Sequence, residues 1–431
     1  MTAPGMRVGV APVRWPGAGG IFQYSQSILT ALSGRSGAEV PVFTDDPGAA
    51  ASVFGQEGLR FVALPAEPKP RGRRVLDRVV GDGRLRQAWR GFRETRSRAR
   101  RPEAIDANVV NWKPHLREAL ASAGVDVVIY AAPSTTSFEA RTPYMMAIHD
   151  LQHRVQPEFP EVSRGREWET REYTMRNGVR HATRILVDSD VGKEDVLDVY
   201  GFTGITEDRV EVLPFVPSPL LHRPGDDEVR RVRAHYGLPS GYLFYPAQFW
   251  PHKNHMRIVE AVHRLSRRGV EVPVVFVGSH ADPLMEETWR RVERLVRTYG
   301  LESQVLFLGY VPDDVISVLY ADALALLFPT FFGPTNIPVV EAWSYGLPVV
   351  TSDLRGIREH TGDAACLVDP RSVDAIAEGI ERVTTDETLR ARLIDAGRTR
   401  AGSYGRAEFE ARLHAILQRA EPVVAAEGFR G

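Results

Sequence analysis

The chain has 431 residues, of which 43% are hydrophobic and 25% are charged. A chain of this length and composition can bury a large core, which excludes intrinsic disorder and disulfide-stapled miniature folds and predicts two or three domains. The formal net charge is −1, from 54 basic and 55 acidic residues, and this near-neutral balance argues against nucleic acid as a partner.

Two further features predict a cytoplasmic protein. Cys366 is the single cysteine, and the N-terminus lacks the basic region and long apolar stretch of a signal peptide. The longest uncharged run, residues 323–340, contains three prolines and a glycine, so it does not predict a membrane span.

Short apolar runs alternate with helical patterns along the chain and predict thirteen β-strands. Continuous apolar strands separated by helices are typical of doubly wound parallel sheets, and thirteen strands exceed one such sheet. The sequence therefore predicts two similar α/β domains, with a boundary in the proline-rich segment 214–241. The predicted strands are residues 7–13, 40–44, 60–64, 125–131, 144–149, 184–188 and 209–213, then 242–245, 273–278, 305–309, 324–328, 348–352 and 365–368.

The segment from Arg71 to Arg101 is strongly basic, with 12 arginines against three acidic residues. Leu85, Trp89 and Phe92 recur at helical spacing, so an apolar face would run through it. The segment predicts either a solvated surface or a contact with the inner face of a membrane or an anionic acceptor. Nucleic acid is disfavoured because no recognised binding module accompanies the charge.

A glycine-rich turn, residues 16–21, follows the first predicted strand and precedes a helical pattern. Gly19 and Gly20 would let backbone N–H groups approach an anionic ligand at the start of the helix. The turn lacks the spacing and the acidic residue of a dinucleotide fingerprint. A purely structural turn is the alternative.

His149 ends the fifth predicted strand, and ligands of open α/β sheets bind at the carboxyl ends of strands. It would hydrogen-bond or polarise a bound group there. His153 lies four residues later, a spacing suited to two metal ligands, but no third ligand is near in sequence. A histidine satisfied within the core or a loop is the remaining alternative.

Lys253 follows the first predicted strand of the second domain, before a helix expected to begin near Asn254. Its ammonium group and the helix N-terminus would together bind a phosphate. Lysine is rare in this chain, which has only four, so its position in this loop favours a function. An ordinary surface lysine is the alternative.

Residues 327–352 combine a strand, a Gly-Pro loop and a helix predicted from about Asn336 to Tyr345, capped by Thr335 or Asn336. Glu341 lies one to two turns into this helix, where its carboxylate would accept hydrogen bonds from two ribose hydroxyls. The free N–H groups at the helix start would bind a diphosphate. The alternative, an exposed helical glutamate, is disfavoured by the apolar flanks of Glu341.

Four motifs in this order resemble the retaining nucleotide-sugar glycosyltransferases of glycosyltransferase family 4: HDLQH at 149–153, YPAQFWPHKN at 245–254, FLGYV at 307–311 and FGPTNIPVVEAWSYGLPVV at 332–350. The resemblance extends from Gly19 to about Val368. It implies the α/β fold called GT-B, in which two Rossmann-like, doubly wound parallel-sheet domains face a central cleft. The implied domains are residues 1–220 and 221–402, with a C-terminal helix in 403–431 that crosses back to the first domain.

The resemblance also implies roles for individual residues. His149 would contact the transferred sugar, Lys253 the donor phosphates and Glu341 the ribose, while Gly19 and Gly20 would lie over the donor diphosphate and the acceptor. The other residues implied at the donor are Tyr310 and Val311 beside the nucleobase, and Gln248, Pro334, Thr335, Asn336 and Ile337 beside the diphosphate and sugar.

Two positions depart from the family pattern. Gly333 stands where the first glutamate of the E-x7-E motif is expected, and Gln248 replaces an arginine five residues before Lys253. The first change removes a carboxylate that reads donor-sugar hydroxyls, so that backbone amides or the side chains of Thr335 and Asn336 would take over. The second removes one cation from the diphosphate site.

The resemblance implies transfer of a hexose from a nucleoside diphosphate sugar to an acceptor hydroxyl, with retention of configuration and with no metal or other cofactor. We expect GDP-mannose or a deoxyhexose donor such as dTDP-rhamnose, and a glycan, lipid-linked or natural-product acceptor. The aspartate pairs at 45–46, 226–227 and 313–314 are interpreted as helix caps rather than metal ligands. A GT-B epimerase, a phosphorylase and a catalytically inactive scaffold are the alternatives.

Overall fold

The computed structural model describes residues 6–15, 19–33, 39–65 and 105–427. The strands of the first domain in these residues are β1 (Val8–Ala11), β2 (Val40–Thr44), β3 (Leu59–Ala63), β4 (Val127–Tyr130), β5 (Tyr144–Ala147), β6 (Arg184–Val187) and β7 (Val210–Val212). Its helices are α1 (Gly20–Ser33), α2 (Pro47–Phe54), α3 (Pro114–Ser122), α4 (Thr135–Glu139), α5 (Gln152–Val155), α6 (Pro160–Ser163), α7 (Glu167–His181) and α8 (Asp190–Tyr200).

The second domain follows the same alternation of helices and strands. Its strands are β8 (Leu243–Pro246), β9 (Val274–Val277), β10 (Val305–Gly309), β11 (Ala325–Phe328), β12 (Val349–Ser352) and β13 (Cys366–Val368). Its helices are α9 (Asp226–Tyr236), α10 (His255–Ser266), α11 (Pro283–Tyr299), α12 (Asp313–Asp322), α13 (Ile337–Tyr345), α14 (Arg355–Thr361), α15 (Val373–Thr385) and α16 (Glu387–Ala401), and α17 (Arg406–Glu427) ends the described chain.

The strands form two parallel sheets, which confirms the predicted fold class. In the described residues the first sheet has the order β3-β2-β1-β4-β5-β6-β7 and the second has the order β10-β9-β8-β11-β12-β13. The order of the second sheet is that of a Rossmann fold, in which the second and third strands lie on one side of the first strand and the next three on the other side. All thirteen predicted strands are present.

The strands are apolar on both sides because helices cover both faces of each sheet. The β4 sequence VVIY and the β9 sequence VVFV are buried at every position. Continuous apolar runs of this kind, rather than alternating ones, are typical of parallel sheets inside α/β domains. This is the reason that the strands could be located from the sequence alone.

The polypeptide passes between the domains twice. Residues 213–225 connect β7 to α9, and residues 402–405 connect α16 to α17. Helix α17 then packs on α1 of the first domain, where Phe409, Leu413 and Ile416 are buried in the same hydrophobic cluster as Ile28.

Two parts of the sequence-based interpretation lie outside the described residues. These are the basic segment from Arg71 to Arg101 and the beginning of the glycine-rich turn, residues 16–18. Among the residues that are described, no helix has both the length and the apolar character needed to cross a membrane.

The predicted aspartate caps are formed only in part, although all three pairs lie in the described chain. Asp46 caps α2 by accepting a hydrogen bond from the Ala49 backbone N–H at 3.0 Å. The other two pairs lie inside the first turns of α9 and α12, because Gly225 and Pro312 occupy the N-cap positions. The capping prediction was therefore wrong for these two pairs, whose charges instead complement the helix dipole.

Candidate active site

Loops at the carboxyl ends of the strands bring the two domains into contact. Helix α1 begins at Gly20, and a Cβ atom at that position would lie only 2.7 Å from the Cδ1 atom of Ile337, the first residue of α13. A side chain at position 20 would therefore require the Ile337 side chain to shift. Two helix N-termini, one from each domain, meet at this point, and the free N–H groups of both would favour an anion there.

Gly19 also has a conformational role. Its φ angle of +60° is in the left-handed region that glycine adopts without strain, and its carbonyl accepts a hydrogen bond from the Gln23 backbone N–H at 3.1 Å. Gly19, directly before α1, therefore has a conformation that favours glycine.

Lys253 lies in a short 3-10 turn, Pro251–Lys253, between β8 and α10. Asn254 follows it in the left-handed conformation and is buried. The Asn254 side-chain amide donates hydrogen bonds of 2.8 Å to the carbonyl oxygens of Pro329 and Pro370. These bonds join the lysine loop to the ends of β11 and β13, so Asn254 fixes the backbone from which Lys253 projects.

The Lys253 ammonium group lies 5.5 Å from the centroid of the Phe328 ring. Burial lowers its pKa to about 8, and the nearby carboxylates of Asp150 and Glu161 partly oppose this shift. A phosphate group beside Lys253 would raise this pKa again, because an anion favours the ammonium ion. The loop therefore contains a cation whose burial is poorly compensated and which an anionic ligand would stabilise.

His149 follows β5, as predicted, and packs between aromatic rings. Its ring stacks on Phe215 at 5.3 Å and meets the edge of Tyr24 at 4.9 Å. The Nε2 atom lies 2.8 Å from the carbonyl oxygen of Ala131, and because a carbonyl only accepts, Nε2 must be protonated. Burial lowers the pKa of His149, so the ring is neutral near pH 7 and Nδ1 is left as a hydrogen-bond acceptor.

His153 belongs to a different environment, and the arrangement opposes a metal site with His149. The His153 Nε2 atom lies 3.1 Å from the Tyr200 hydroxyl and 3.5 Å from a carboxylate oxygen of Glu172, which Arg154 also binds. Although burial opposes ionisation, hydrogen bonds from these neighbours hold the Glu172 pKa at about 2. In the residues that the structure describes, no group of three or more histidine, cysteine, aspartate or glutamate side chains could hold a metal ion.

Glu341 is buried on α13, which excludes the exposed-glutamate alternative. Its Oε2 atom accepts a hydrogen bond from the Tyr320 hydroxyl at 2.7 Å, and its Oε1 atom accepts one from the Ser218 backbone N–H at 3.4 Å. Gln23 of α1 is also hydrogen-bonded to this carboxylate. Burial raises the pKa of Glu341 despite these bonds, so a ligand with further hydroxyl donors would stabilise its ionised form.

The loop before α13 explains why residue 333 is glycine. Gly333 has a φ angle of +136°, which side chains rarely permit, and a Cβ atom there would lie 2.7 Å from the Asn336 Oδ1 atom. A glutamate at this position would require a different loop. Asn336 occupies the N-cap position of α13, as predicted, but its side chain makes no capping hydrogen bond, and its Nδ2 atom is buried without a partner.

Thr335 turns away from the helix end and contacts the first domain. Its hydroxyl donates a hydrogen bond to the Oδ2 atom of Asp188, which follows β6 and is buried. Burial raises the pKa of Asp188 to about 7, while the hydrogen bonds from Thr335 and Ser189 act in the opposite direction. Sequence reasoning missed Asp188, although an aspartate directly after a buried strand was a signal for this edge of the sheet.

The remaining predicted donor-site residues differ in accessibility. The Gln248 Oε1 atom accepts a hydrogen bond from the Trp250 indole N–H at 2.9 Å. The Tyr310 side chain is 65% exposed, so its ring is open to a ligand. Val311 is buried in the core of the second domain, and Pro334 packs against Gly356 on α14. Of these residues, Tyr310 presents the side chain best placed to stack on a base.

Some of the predicted site residues lie where the two domains meet: Gly20 faces Ile337, and the Glu341 carboxylate is hydrogen-bonded to Gln23 of α1. A model of the family described as glycosyl transferases, group 1, matches residues 232–400. The second domain belongs to the group 1 glycosyl transferases. The matched range of this group 1 domain includes Lys253, Tyr310 and Glu341, whereas His149 and Asp188 lie outside it.

Two curated relatives are similar over about half of the chain. The O-antigen chain mannosyltransferase B of Escherichia coli is 28% identical over 246 residues, which are 56% of this chain and 61% of that protein. The MMP alpha-(1->4)-mannosyltransferase of Mycolicibacterium hassiacum is 25% identical over 226 residues, which are 52% of this chain and 50% of that protein. The chain thus spans half to three fifths of the length of these relatives.

Solved structures match the whole chain and confirm the GT-B fold. Anabaena HepE, in a complex with UDP and glucose, aligns with a TM-score of 0.69 at 16% identity, over 96% of this chain and 99% of that one. The two-domain arrangement predicted from the alternation of strands and helices is the arrangement found in these proteins.

Proposed function

We propose that this protein is a hexosyltransferase that moves a sugar from a nucleoside diphosphate donor to an acceptor hydroxyl, with retention of anomeric configuration. Mannose is the proposed sugar, because both relatives described above are named as mannosyltransferases. Two observations support this function: the partly buried Lys253 ammonium group interacts with the first-domain carboxylates Asp150 and Glu161, and the N-termini of α1 and α13 meet at Gly20 and Ile337.

The proposed donor lies mainly on the second domain. Its diphosphate is placed between Lys253 and the N-termini of α1 and α13, where the charge of the leaving group grows during the reaction. The ribose hydroxyls are placed on Glu341, whose buried carboxylate is already held by Tyr320, and the base lies beside Tyr310. In this arrangement the negative phosphates face an ammonium group and backbone N–H groups, and the ribose hydroxyls face a carboxylate that can accept their hydrogen bonds.

The proposed reaction needs no carboxylate base from the protein. The bond between sugar C1 and the diphosphate oxygen breaks, and the acceptor oxygen bonds to C1 on the same face. The acceptor proton passes to the departing phosphate oxygen, so atoms and charges balance. His149, with a neutral ring and a free Nδ1 acceptor, would bind a hydroxyl of the transferred sugar.

In this proposal the work of neutralising the diphosphate is done by Lys253 and the helix N-termini. Transfer is therefore expected to continue when divalent ions are removed with EDTA. Loss of transfer in EDTA, with recovery on adding Mg²⁺, would overturn the metal-independent mechanism while leaving the transferase assignment intact.

A melting-temperature screen with GDP, UDP, dTDP and ADP tests the donor site. A nucleotide at about 100 times its Kd would stabilise the folded protein by about 2.7 kcal/mol, which is a clear rise in Tm. We expect GDP to give the largest rise and the Lys253→Ala variant to lose it. The absence of a rise with every nucleotide would contradict the proposed donor site.

Product analysis then separates transfer from the alternatives. Incubation with GDP-mannose and an acceptor should give a glycoside with the same anomeric configuration as the donor, which NMR can assign. Conversion of the nucleotide sugar in the absence of acceptor would indicate an epimerase instead. Tight nucleotide binding without any product over a panel of donors and acceptors would indicate an inactive scaffold.

A further inference from the structure

We propose that Glu161, on the first domain, is a positioning residue for Lys253, on the second. This inference rests on the proposed function, because it assigns to Glu161 the task of aligning the lysine with the donor phosphates. Glu161 acts through His252, the residue that precedes Lys253 in the loop.

The contact between the domains at this point is specific. One carboxylate oxygen of Glu161, Oε1, accepts hydrogen bonds from both the backbone N–H of His252, at 3.0 Å, and its ring Nδ1, at 2.6 Å. The two side chains are 5% and 13% exposed. Two bonds to one residue fix its backbone as well as its ring, and the backbone of His252 leads directly into Lys253.

Neighbouring residues extend this contact to the other loop of the site. The Gln156 side-chain amide donates a hydrogen bond of 2.9 Å to the carbonyl of Phe331, and the Phe159 ring lies 5.5 Å from the Phe331 ring. The Phe331 backbone N–H in turn donates to the carbonyl of His252 at 2.8 Å. Residues 156–161 of the first domain therefore hold two loops of the second domain in one arrangement.

The electrostatics link Glu161 to the charge of Lys253. Burial alone would raise the pKa of Glu161, but the hydrogen bond and charge interaction with His252 hold it below its usual value, so the carboxylate is ionised. That negative charge raises the pKa of Lys253 against the effect of burial, as does the charge of Asp150. His252 and His255 are the other titratable groups that interact with the lysine, and burial lowers the pKa of both.

The two effects lead to separate expectations. Without the Glu161 carboxylate the loop loses two hydrogen bonds, so nucleotide binding should weaken. Without its charge the pKa of Lys253 should fall further, so the alkaline decline in nucleotide affinity should begin at a lower pH. A purely structural role would change stability but would not move this pH dependence.

Arg164 provides a matched control, since it also forms an ion pair between the domains. Its guanidinium lies 3.8 Å from a carboxylate oxygen of Glu287, and both side chains are largely exposed. Exposed pairs of this kind contribute little to stability. Arg164→Ala removes a contact between the same two domains, close in sequence to Glu161, without touching the lysine loop.

The test measures the Kd of the nucleoside diphosphate that raises the wild-type Tm most, among GDP, UDP, dTDP and ADP, between pH 6 and 9.5. For Glu161→Gln we expect affinity to fall about tenfold and the alkaline decline to shift to lower pH, whereas Arg164→Ala should stay within twofold of the wild type. If Glu161→Gln does not fold, His252→Gln takes its place in the test. It removes the imidazole ring that bonds to Glu161, and we expect the same loss of affinity.

The outcomes separate this inference from the proposed function. A folded Glu161→Gln protein with wild-type affinity and wild-type pH dependence, together with a Lys253→Ala protein that no longer binds, would overturn the positioning role alone. If Lys253→Ala binds the nucleotide as well as the wild type, the proposed donor site is wrong and the positioning role is overturned with it.

Discussion

The two sides of the cleft differ in how their functional groups are assembled. The second-domain side is built from local sequence: Lys253 and Asn254 adjoin one strand end, and Gly333, Thr335 and Glu341 adjoin another. The first-domain side is built from groups that follow different strands and that meet only across the cleft. The family model matches the first kind of site and does not extend to the second.

The two sides also differ in electrostatic character. The second-domain side presents an ammonium group whose pKa burial lowers to about 8, and the first-domain side presents Asp188, whose pKa burial raises to about 7. Glu161 is buried as well, yet a strong partner in His252 holds its pKa low. A buried ionisable side chain that lacks a strong partner is one that a bound ligand would stabilise. A buried ionisable side chain with a strong partner, as Glu161 has in His252, instead holds the loops in place.

The largest effect is expected on the second-domain side, at Lys253. Lys253→Ala should reduce kcat/KM for the donor by about 10²–10³-fold, or about 3–4 kcal/mol, because a charge that stabilises the departing diphosphate is lost. The folded protein should not lose stability at pH 7. The folded-state pKa of Lys253 is about 8, below its unfolded value, so the ammonium ion disfavours folding at pH values below about 8.

Lys193 is the control for this experiment. Its ammonium group forms an ion pair of 3.4 Å with Glu207, within the first domain. Lys193→Ala should keep donor kcat/KM within twofold of the wild type. If the wild type and both lysine variants were equally active in steady-state assays, the charge of Lys253 would not explain catalysis.

The next effect is expected on the first-domain side, at Asp188. The folded-state pKa is about 7 and the unfolded value is near 4, so the native state binds an extra proton between these pH values. The free energy of unfolding should therefore fall as pH rises from about 4 to about 7, by about 4 kcal/mol in total. Asp188→Asn should abolish this decline, because the amide does not titrate.

Urea denaturation at pH 5 and pH 8 measures the difference between wild type and variant. Asp45→Asn is the control, because the hydrogen bond from Arg14 lowers the pKa of Asp45 and keeps it ionised throughout this window. If the free energy of unfolding changes with pH equally in the wild type and in Asp188→Asn, the pKa of Asp188 is not raised. The opposite pKa shifts of Asp188 and Lys253 would then no longer distinguish the two sides of the cleft.

The smallest of these effects is expected at Glu341. Glu341→Gln keeps the shape of the side chain and a partner for Tyr320, whose hydroxyl can also accept, but it loses the charge that would bind ribose hydroxyls. We expect the Kd of the nucleotide to rise about tenfold, or about 1.4 kcal/mol, with no loss of Tm. Isothermal titration measures this change, with Glu378→Gln on the exposed face of α15 as the control. A Kd equal to that of the wild type would exclude a ribose contact at Glu341.

Much of the second-domain side was predictable from sequence because its signals are local. A buried apolar strand, a loop of a few residues and a helix start place Lys253 and the α13 N-terminus at the sheet edge. The start of α10 at His255 and the end of α13 at Tyr345 agree with those predictions. Local sequence did not predict that the Asn336 side chain makes no capping hydrogen bond. The conformation of Gly333 and the contact of Thr335 with the other domain determine that loop.

The first-domain side was predictable only at Gly19 and Gly20, at the start of α1, and at His149, which lies just after β5. Asp188 and Thr335 are 147 residues apart, and Glu161 and His252 are 91 residues apart, so no spacing rule connects them. Tyr320 likewise gave no signal in the sequence, because its hydroxyl meets Glu341 only when α12 packs against α13.

The amino-acid sequence by itself determined the two parallel-sheet domains and the position of Lys253 in a loop after a strand of the second domain. These properties follow from hydrophobic periodicity and from helix and strand ends, which depend on neighbouring residues. Only the tertiary structure decided which first-domain groups face Lys253 and how their pKa values shift. Those properties depend on burial and on partners brought together from distant parts of the chain, and local sequence does not encode either one.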